Sequence, residues 1–474
     1  MSLAIILHVP LPEPGRKKPA NKIVIDAVAD RIPEDDIEIL ILLVKGLSPE
    51  EFKKIKKASI MKFDDDPNQL GVPARPGGPL GADLSKAPGA PFETVPEAEA
   101  GEIDETAALT VKLQDKRAKT DESQDGKLLR GVHPKSHGCV AAEFAVRDDI
   151  EEKYQVGLFA QPGKTHKAWI RFSNASVLRE HDLKGGKNGS RGMAIKVLDV
   201  EGEMLSEDNG QSNQDFLMIN TPEFAFANVR DYLRLDRILA RDPLGADPGP
   251  YFLPLQLALL GEPKDGEPAE LAGRRKFLQG AIEKDPLLNK LSGDDLKGTF
   301  ASLKVIREIS EQTVRNPLQV QYFGAAPFLF GAGRAMKFSA APCTVTEQAP
   351  FTDVTPDNPS ADYLREALNQ TMKGKQDVCY DFKVQVRIAA DAKDLNIEDA
   401  TTTWPDEETS YVNVARITIK VPQSPDTPEA LEQCEKLAFT PWHSLADHEP
   451  LGGINRLRRK VYANSAEHRG AEGY

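Results

Sequence analysis

Apolar and polar positions follow two different periods along this chain, and the period separates predicted strands from predicted helices. In 384–388 and 414–421 apolar and polar residues partly alternate, as in strands that bury one face. Within 229–314 apolar residues recur three and four positions apart, which is typical of helices. The strand-like runs are 139–146, 168–172, 192–200, 216–219, 318–323, 335–339, 380–389 and 411–421. Strands interrupted by one long helical insertion predict an α+β fold, an antiparallel β-barrel with helices packed outside it.

Two segments of different character precede this predicted domain, which we place at 128–474. Residues 1–62 form a small N-terminal segment of unknown role, in which Ser48-Pro49-Glu50-Glu51 has the pattern of a helix start. Residues 63–127 are predicted to be a linker or an extended arm, because seven prolines within 64–97 exclude a continuous helix. The charged stretch 98–127 is expected to be helical in part.

Composition excludes some classes of function and indicates where in the cell the protein is expected. The net charge of −13 over 474 residues argues against a general affinity for nucleic acid, whose phosphates require clustered cations. The apolar run 1–9 is too short for a membrane span and has no basic residues of a signal peptide before it. The four cysteines form no metal-ligand spacing, so we expect reduced thiols in a cytoplasmic protein. They are Cys139, Cys343, Cys379 and Cys434.

Five short motifs occur in a fixed order along the chain. They are Leu129-Arg130-Gly131-Val132-His133-Pro134-Lys135-Ser136-His137-Gly138, Trp169-Ile170-Arg171-Phe172-Ser173, Ser190-Arg191-Gly192-Met193-Ala194-Ile195-Lys196-Val197, Asn220-Thr221-Pro222-Glu223-Phe224 and Arg458-Arg459-Lys460-Val461-Tyr462. In this order and spacing the set resembles the haem-binding core of the catalase superfamily, over about 129–232 with a second anchor at 442–469. Because only twelve residues follow Tyr462, the chain is most similar to the short, catalase-related members. The resemblance implies the catalase-like barrel.

The resemblance also implies a cofactor, haem b with ferric iron, and a metal ligand, Tyr462. Arg458 lies four residues earlier, on the same face of a predicted helix over 454–466, where a guanidinium favours the phenolate. Without the resemblance, the two would be an ordinary pair on an exposed helix. The remaining cofactor-binding positions implied are Arg130, Arg171 and Arg469 at the haem propionates, with Phe224 and Tyr232 lining the haem face. Core packing is an open alternative for the two aromatic residues.

The catalytic residues implied are His133, Ser173 and Asn220. His133 would lie over the iron as a general acid and base, since an imidazole titrates near neutrality, and Ser173 would hydrogen-bond it. Full-length catalases carry two adjacent asparagines before Thr-Pro and use the first in the pocket. Here Ile219 fills that first position and Asn220 the second, so either residue could occupy the place of the distal amide.

The predicted function is that of a haem-dependent oxidoreductase that cleaves a peroxide bond. Its small-molecule substrate would be hydrogen peroxide or an organic or lipid hydroperoxide, and the sequence does not choose between them. A non-catalytic haem-binding or sensing protein is the alternative, and a barrel without a cofactor is a third reading. We expect no nucleic acid partner, no transmembrane segment and no bound NADPH, and the resemblance leaves a homo-oligomer open.

Overall fold

A computed structural model describes residues 93–175, 181–182, 189–205, 212–263, 267–344, 359–388, 397–404 and 410–471. The N-terminal segment 1–62 and residues 63–92 of the predicted arm lie outside these described residues. The described residues fall into two compact units. One contains those up to 233 together with those from 308 onward, and the other contains those within 234–307.

The larger unit is built around antiparallel β-strands, all of which lie in one sheet. The strands are β1 Ser136–Val146, β2 Thr165–Asn174, β3 Arg191–Val197, β4 Gln214–Ile219, β5 Tyr322–Phe323, β6 Phe328–Leu329, β7 Arg334–Pro342, β8 Val378–Ile388 and β9 Val412–Ile419. Their order is β5-β4-β3-β2-β1-β9-β8-β7-β6, and a further pairing of β5 with β7 closes eight of them into a barrel. The predicted fold class, an antiparallel β-barrel with helices outside it, is confirmed.

Each strand-like run predicted from the sequence contains strand residues in the structure. The run 318–323 is only partly correct, because Pro317–Gln319 forms a 3-10 turn and the strand is limited to Tyr322–Phe323. The N–H groups of Leu318 and Gln319 donate to Asn316 within this turn, so they are not available to a neighbouring strand.

The helices of the described residues supply the outer layer and the smaller unit. They are α1 Glu99–Thr120, α2 Val229–Arg241, α3 Leu253–Leu260, α4 Ala269–Glu283, α5 Gly293–Glu311, α6 Tyr363–Met372, α7 Pro428–Lys436 and α8 Gly453–His468. Thr427 caps α7 by accepting a hydrogen bond from the Ala430 N–H, and Pro428 occupies the first turn. The helices expected at 229–314 and 454–466 are present. Among the described residues, no helix is long and apolar enough to cross a membrane.

Aromatic side chains fill the interior of the barrel. The Phe216 ring centroid lies 4.7 Å from that of Phe382 and 5.0 Å from that of Phe338. Phe144 is 5.2 Å from Phe382, and all four rings are fully buried. An eight-stranded barrel has just enough interior for such side chains. The interior is therefore a packed core.

The motif residues consequently lie on the outer face of the barrel. Side chains alternate between the two faces of a strand, and Phe172 points into the core. Its neighbours Arg171 and Ser173 therefore point outward. By the same alternation Gly192 and Ile219 face outward, since Met193 and Met218 belong to the core.

The structure corrects the prediction of reduced cysteines. Cys139 on β1 is bonded to Cys434 on α7, and Cys343 is bonded to Cys379 on β8, with Cα atoms 5.5 Å apart in each pair. The first pair is separated by 295 residues in sequence, so its spacing carried no signal. The second pair continues the register of β7 and β8, in which Pro342 lies opposite Tyr380.

Candidate functional site

His133, in the loop before β1, has a backbone conformation that is rare for a residue with a side chain. Its φ is +59°, in the left-handed region. The Nδ1 atom lies 2.9 Å from the Ser173 hydroxyl, and Arg171 donates a hydrogen bond of 3.0 Å to the His133 carbonyl. Neighbouring residues on β2 therefore hold both the backbone and the ring of His133 in this conformation.

Gly192 on β3 makes room for the His133 ring. A Cβ atom at this position would lie 2.4 Å from Cε1 and 2.5 Å from Nδ1 of His133, and 3.0 Å from the Ser173 hydroxyl. Carbon atoms in van der Waals contact are about 3.5–4.0 Å apart, so any side chain here would displace the imidazole.

We expect Gly192→Ala to move the His133 ring and to lower the free energy of unfolding by about 1–3 kcal/mol, the usual cost of an overpacked site. Chemical denaturation measures this loss. Gly101→Ala on α1 is a matched control, because no atom lies within 4 Å of its added Cβ and alanine favours a helix. Equal stability of the two variants would contradict the steric role of Gly192.

His133 is neutral at pH 7. Burial, together with the positive charges of Arg171, Arg458 and Arg130, lowers the pKa of His133 to about 3. One nitrogen of the neutral ring therefore carries a lone pair. In the hydrogen bond between His133 Nδ1 and the Ser173 hydroxyl, the tautomer of the ring decides which atom is the donor.

Three arginines converge on one carboxylate beside His133. Arg130 donates to one oxygen of Glu435 at the end of α7, and Arg171 donates to the other at 3.3 Å. Arg469 donates to the backbone carbonyl of Glu435. Arg130 and Arg469 also donate to the Leu437 carbonyl, at 2.7 and 2.9 Å. The sequence predicted the three arginines as one group and gave no indication of Glu435.

The arginines exceed the carboxylate in charge. Burial would raise the pKa of Glu435, but Arg130, Arg171 and Arg469 outweigh it and lower the pKa to about 2. Burial and the charge of Arg130 lower the pKa of Arg469 to about 9 and that of Arg171 to about 10. Three cations and one anion leave a net charge of +2. The buried Nε of Arg171 has no hydrogen-bond partner among the described residues, so the cluster can accept a further anion.

Arg458 and Tyr462 are in contact on α8, as their spacing predicted. The guanidinium carbon lies 5.3 Å from the centroid of the Tyr462 ring, over its face, which is a cation–π contact. Arg458 donates to Asn455 at 3.0 Å, while its buried Nε lacks a partner among the described residues. Arg130, three residues before His133, and Arg469, seven residues after Tyr462, both donate to the Leu437 carbonyl, so the segments that carry His133 and Tyr462 come together.

The predicted aromatic residues lie beside Tyr462. Phe224 and Tyr232 are partly buried and pack, together with Tyr462, against one apolar cluster that includes Val229 and Val461. The rings of Phe224 and Tyr232 are stacked at 27°, with centroids 6.4 Å apart. The structure thus brings these three residues together, and the packing that was the alternative for Phe224 and Tyr232 is also present.

Asn220 makes hydrogen bonds that do not include His133. Its Oδ1 accepts from the Arg191 N–H at 2.8 Å and from the Ser190 hydroxyl at 3.2 Å, and its Nδ2 donates to Gln312 at 2.8 Å. Ile219 lies opposite Gly192 in the register of β3 and β4. The strand position nearest to the His133 ring on β4 therefore belongs to Ile219.

A buried polar network supports the site from one side. Asp182 binds the Lys135 ammonium at 2.8 Å and the Asn174 amide at 2.8 Å, and its backbone carbonyl accepts from Arg191 at 2.9 Å. Arg191 also donates to Asn174 at 2.6 Å. Lys135, Asn174 and Arg191 lie one or two residues from His133, Ser173 and Gly192, respectively. The network therefore holds in place the backbone that carries these three residues, although nothing in the sequence motifs marked Asp182.

Stability should fall in mild acid. Burial lowers the pKa of His133 and His137 to about 3, and that of His448 to about 4, from an ordinary 6.5. The unfolded chain then binds more protons than the folded one, so the stability present above pH 6.5 is lost as pH falls from 6.5 towards 4. Calorimetry between pH 7.5 and 4.5 should show a decreasing melting temperature with proton uptake on unfolding. A constant melting temperature would contradict these shifts.

The structure defines a class of protein: an antiparallel β-barrel that carries a histidine, a serine and an arginine cluster on its outer face. Catalase from Staphylococcus epidermidis is 30% identical over 114 residues, which are 24% of this chain and 20% of that catalase. A catalase-like protein from Staphylococcus aureus is 29% identical over 114 residues, 24% of this chain and 22% of that protein. The matched part thus spans about a fifth of these relatives. Over this stretch the chain is similar to catalases.

Solved catalase structures can also be superimposed on the chain. A bacterial catalase gives a TM-score of 0.48 at 20% identity, covering 73% of this chain and 58% of that chain. Catalase A from Saccharomyces cerevisiae gives 0.46 at 18% identity, covering 72% and 61%. No protein-family model matches the chain.

Proposed function

We propose that this protein binds ferric haem b on the outer face of its barrel and cleaves the O–O bond of a peroxide. The observation that carries the proposal is the contact between the segments that hold His133 and Tyr462. Arg130, three residues before His133, and Arg469, seven residues after Tyr462, both donate to the Leu437 carbonyl. A phenol that would bind haem iron and an imidazole that would act on the peroxide must lie close enough to share one haem.

The arginine cluster fits the carboxylates of haem. The cluster formed by Arg130, Arg171 and Arg469 with Glu435 has a net charge of +2, and the two propionates of haem b together carry −2. The unpartnered Nε atoms of Arg171 and Arg458 are buried donors that lack an acceptor among the described residues, and a bound carboxylate would supply one. Phe224 and Tyr232 would offer apolar surface to the macrocycle.

Tyr462 would bind the haem iron through its phenol oxygen, with the Arg458 guanidinium over its ring. A phenolate is a hard donor that stabilises ferric iron. The haem, when bound, supplies the redox-active iron on which a peroxide can be reduced.

His133 would move the proton. A neutral imidazole can take a proton from the nearer oxygen of a peroxide and return it to the farther one, so that water can leave. Ser173 would hold the ring in one orientation. Carboxylates bound at Arg130 and Arg171 would oppose two of the charges that lower the pKa of His133, bringing that pKa closer to neutrality, where an acid–base group works best.

A second candidate function, haem binding or sensing without turnover, is favoured by Ile219 and Asn220. The amide of Asn220 is already hydrogen-bonded to Ser190, Arg191 and Gln312, and Ile219 has no polar group with which to orient a peroxide. Losing one positioned donor costs about a hundredfold to a thousandfold in rate. Slow disproportionation of hydrogen peroxide is therefore expected under the first candidate, and none beyond that of free haemin under the second.

Ile219→Asn tests this point directly. If a missing amide limits turnover, we expect the variant to release oxygen from hydrogen peroxide about tenfold faster or more. Leu217→Asn is the matched control, because Leu217 lies on the same face of β4, opposite Ala194 rather than Gly192. A gain in the control as large as that in Ile219→Asn would contradict a specific effect beside His133.

The proposal is tested by titrating the purified protein with haemin and recording its absorption and electron paramagnetic resonance spectra. We expect a stoichiometric Soret band and a ferric signal with an oxygen ligand. Oxygen release, oxidation of an organic donor and loss of a conjugated-diene hydroperoxide then distinguish the substrates. No Soret band beyond that of free haemin would overturn the proposal, and a band without any of the three activities would favour the sensing function.

The cellular location and the assembly of subunits stay predictions. A cytoplasmic location is now opposed by one observation, since two disulfides are more typical of an oxidising compartment. Peptide mapping without reductant, on protein recovered from the native source, would distinguish free thiols, as expected in the cytoplasm, from the two disulfides, as expected in an oxidising compartment.

A further inference from the structure

Glu435 is the one carboxylate, among the described residues, that contacts the arginine cluster. Its two carboxylate oxygens accept hydrogen bonds from different arginines, Arg130 and Arg171. Its backbone carbonyl accepts a hydrogen bond from Arg469. Deleting this single negative charge would leave three guanidinium groups facing one another. The charge of the cluster would then rise from +2 to +3.

Glu435 is held firmly where it meets the arginines. The preceding residue, Cys434, is bonded covalently to Cys139 on β1. The Leu437 carbonyl, just after α7, accepts from both Arg130 and Arg469, and carbonyls at the end of a helix attract cations. The Glu435 carboxylate is therefore fixed before any ligand arrives, which reduces the cost of ordering the arginines when a ligand binds.

The negative charge of the Glu435 side chain also affects the pKa of a cluster arginine. Burial already lowers the pKa of Arg469 to about 9, and the charge of Glu435 opposes that shift. The pKa of Glu435 itself is about 2, so the carboxylate stays charged at every pH at which the protein is expected to work. The charge of the cluster is thus a constant set by one residue.

We propose that Glu435 is a positioning residue that orders the three arginines and sets their charge to match a porphyrin with two carboxylates. The inference rests on the proposed function, because it concerns the same site. It adds a specificity determinant: by offsetting one of the three positive charges, Glu435 limits the preference for a dicarboxylate porphyrin over its uncharged ester.

The test uses iron-free protoporphyrin IX and its dimethyl ester, so that iron ligation by Tyr462 plays no part. Fluorescence quenching of the full-length protein gives a Kd for each probe. We expect the wild type to prefer the diacid about tenfold or more, as charge-assisted pairs imply. In Glu435→Gln the preference should rise a further three- to tenfold, because the uncompensated charge strengthens attraction to carboxylates.

Two further variants separate this role from a general effect on folding. Glu435→Asp keeps the charge and should return the preference towards the wild-type value. Glu432→Gln is the matched control, since Glu432 lies on the same helix, is exposed and pairs with Lys436 instead. Glu435→Gln should also lower the melting temperature of the ligand-free protein, whereas Glu432→Gln should not.

The outcomes are distinct from those of the haem titration. An unchanged ratio of the two Kd values in Glu435→Gln, with both affinities reduced equally, would show a merely structural residue and overturn the inference. A wild type that binds diacid and ester equally would overturn it too. A Glu435-dependent preference for protoporphyrin, found without any tyrosinate-ligated haem spectrum, would support the inference while the peroxide function fails.

Discussion

Replacing Tyr462 by phenylalanine is expected to lower the affinity for ferric haem by about a hundredfold or more, because phenylalanine has no oxygen to bind iron. Changes to groups that only support a metal ligand already cost about 10–100-fold. The new phenyl ring can keep the place under the Arg458 guanidinium and the packing against Val461. The fold should therefore be retained, and the loss should appear in the haemin titration and the ferric resonance.

Tyr232→Phe is the matched control for that experiment. Tyr232 belongs to the same apolar cluster as Tyr462, and the substitution removes the same hydroxyl group. We expect it to leave the Soret band in place. If Tyr462→Phe bound haem with the wild-type spectrum, a different residue would be the ligand and the proposed site would be abandoned.

Replacing His133 by alanine is expected to slow peroxide cleavage about 10²–10⁴-fold while haem still binds, since general acid–base groups contribute that much. The iron ligand and the arginine cluster are left intact by the change. Single-turnover mixing with hydrogen peroxide and with an organic hydroperoxide measures the rate of cleavage. The Soret band, recorded in the same samples, measures haem content.

His468→Ala controls for the loss of an imidazole. His468 lies at the end of α8, and its ring is bonded to Asp115 at 2.8 Å instead of to Ser173. We expect wild-type turnover from this variant. Wild-type turnover from His133→Ala as well would leave haem binding as the function and remove the acid–base role.

The strands could be predicted because each one buries apolar side chains in a pattern that is recognisable in the sequence. Val384 and Phe382 point into the core while Lys383 and Gln385 alternate with them, and that alternation is visible in sequence. The helix that carries Arg458 and Tyr462 was predictable for the same reason, with Ile454, Leu457 and Val461 on one buried side. Local periodicity thus located the elements, and the resemblance of the motifs to those of catalases indicated the residues predicted for the site.

The cysteine pairing and the role of Glu435 were out of reach for a different reason. Glu435 is 305 residues from Arg130 in sequence, and Cys434 is 295 residues from Cys139. Contacts of this range depend on how β1 and α7 are placed by closure of the barrel. No local pattern records that placement, so the expectation of free thiols was wrong.

By itself, the sequence determined the class of fold and the order of strands and helices, because side-chain periodicity is a property of the chain alone, and the resemblance of its motifs to those of catalases indicated several residues around His133 and Tyr462. Only the tertiary structure decided that Gly192 gives the imidazole its space, that Ile219 lies beside it while Asn220 is bound elsewhere, and that one carboxylate counters three arginines. Those facts depend on distances between segments far apart in the chain, which are established when the barrel closes and buries its core.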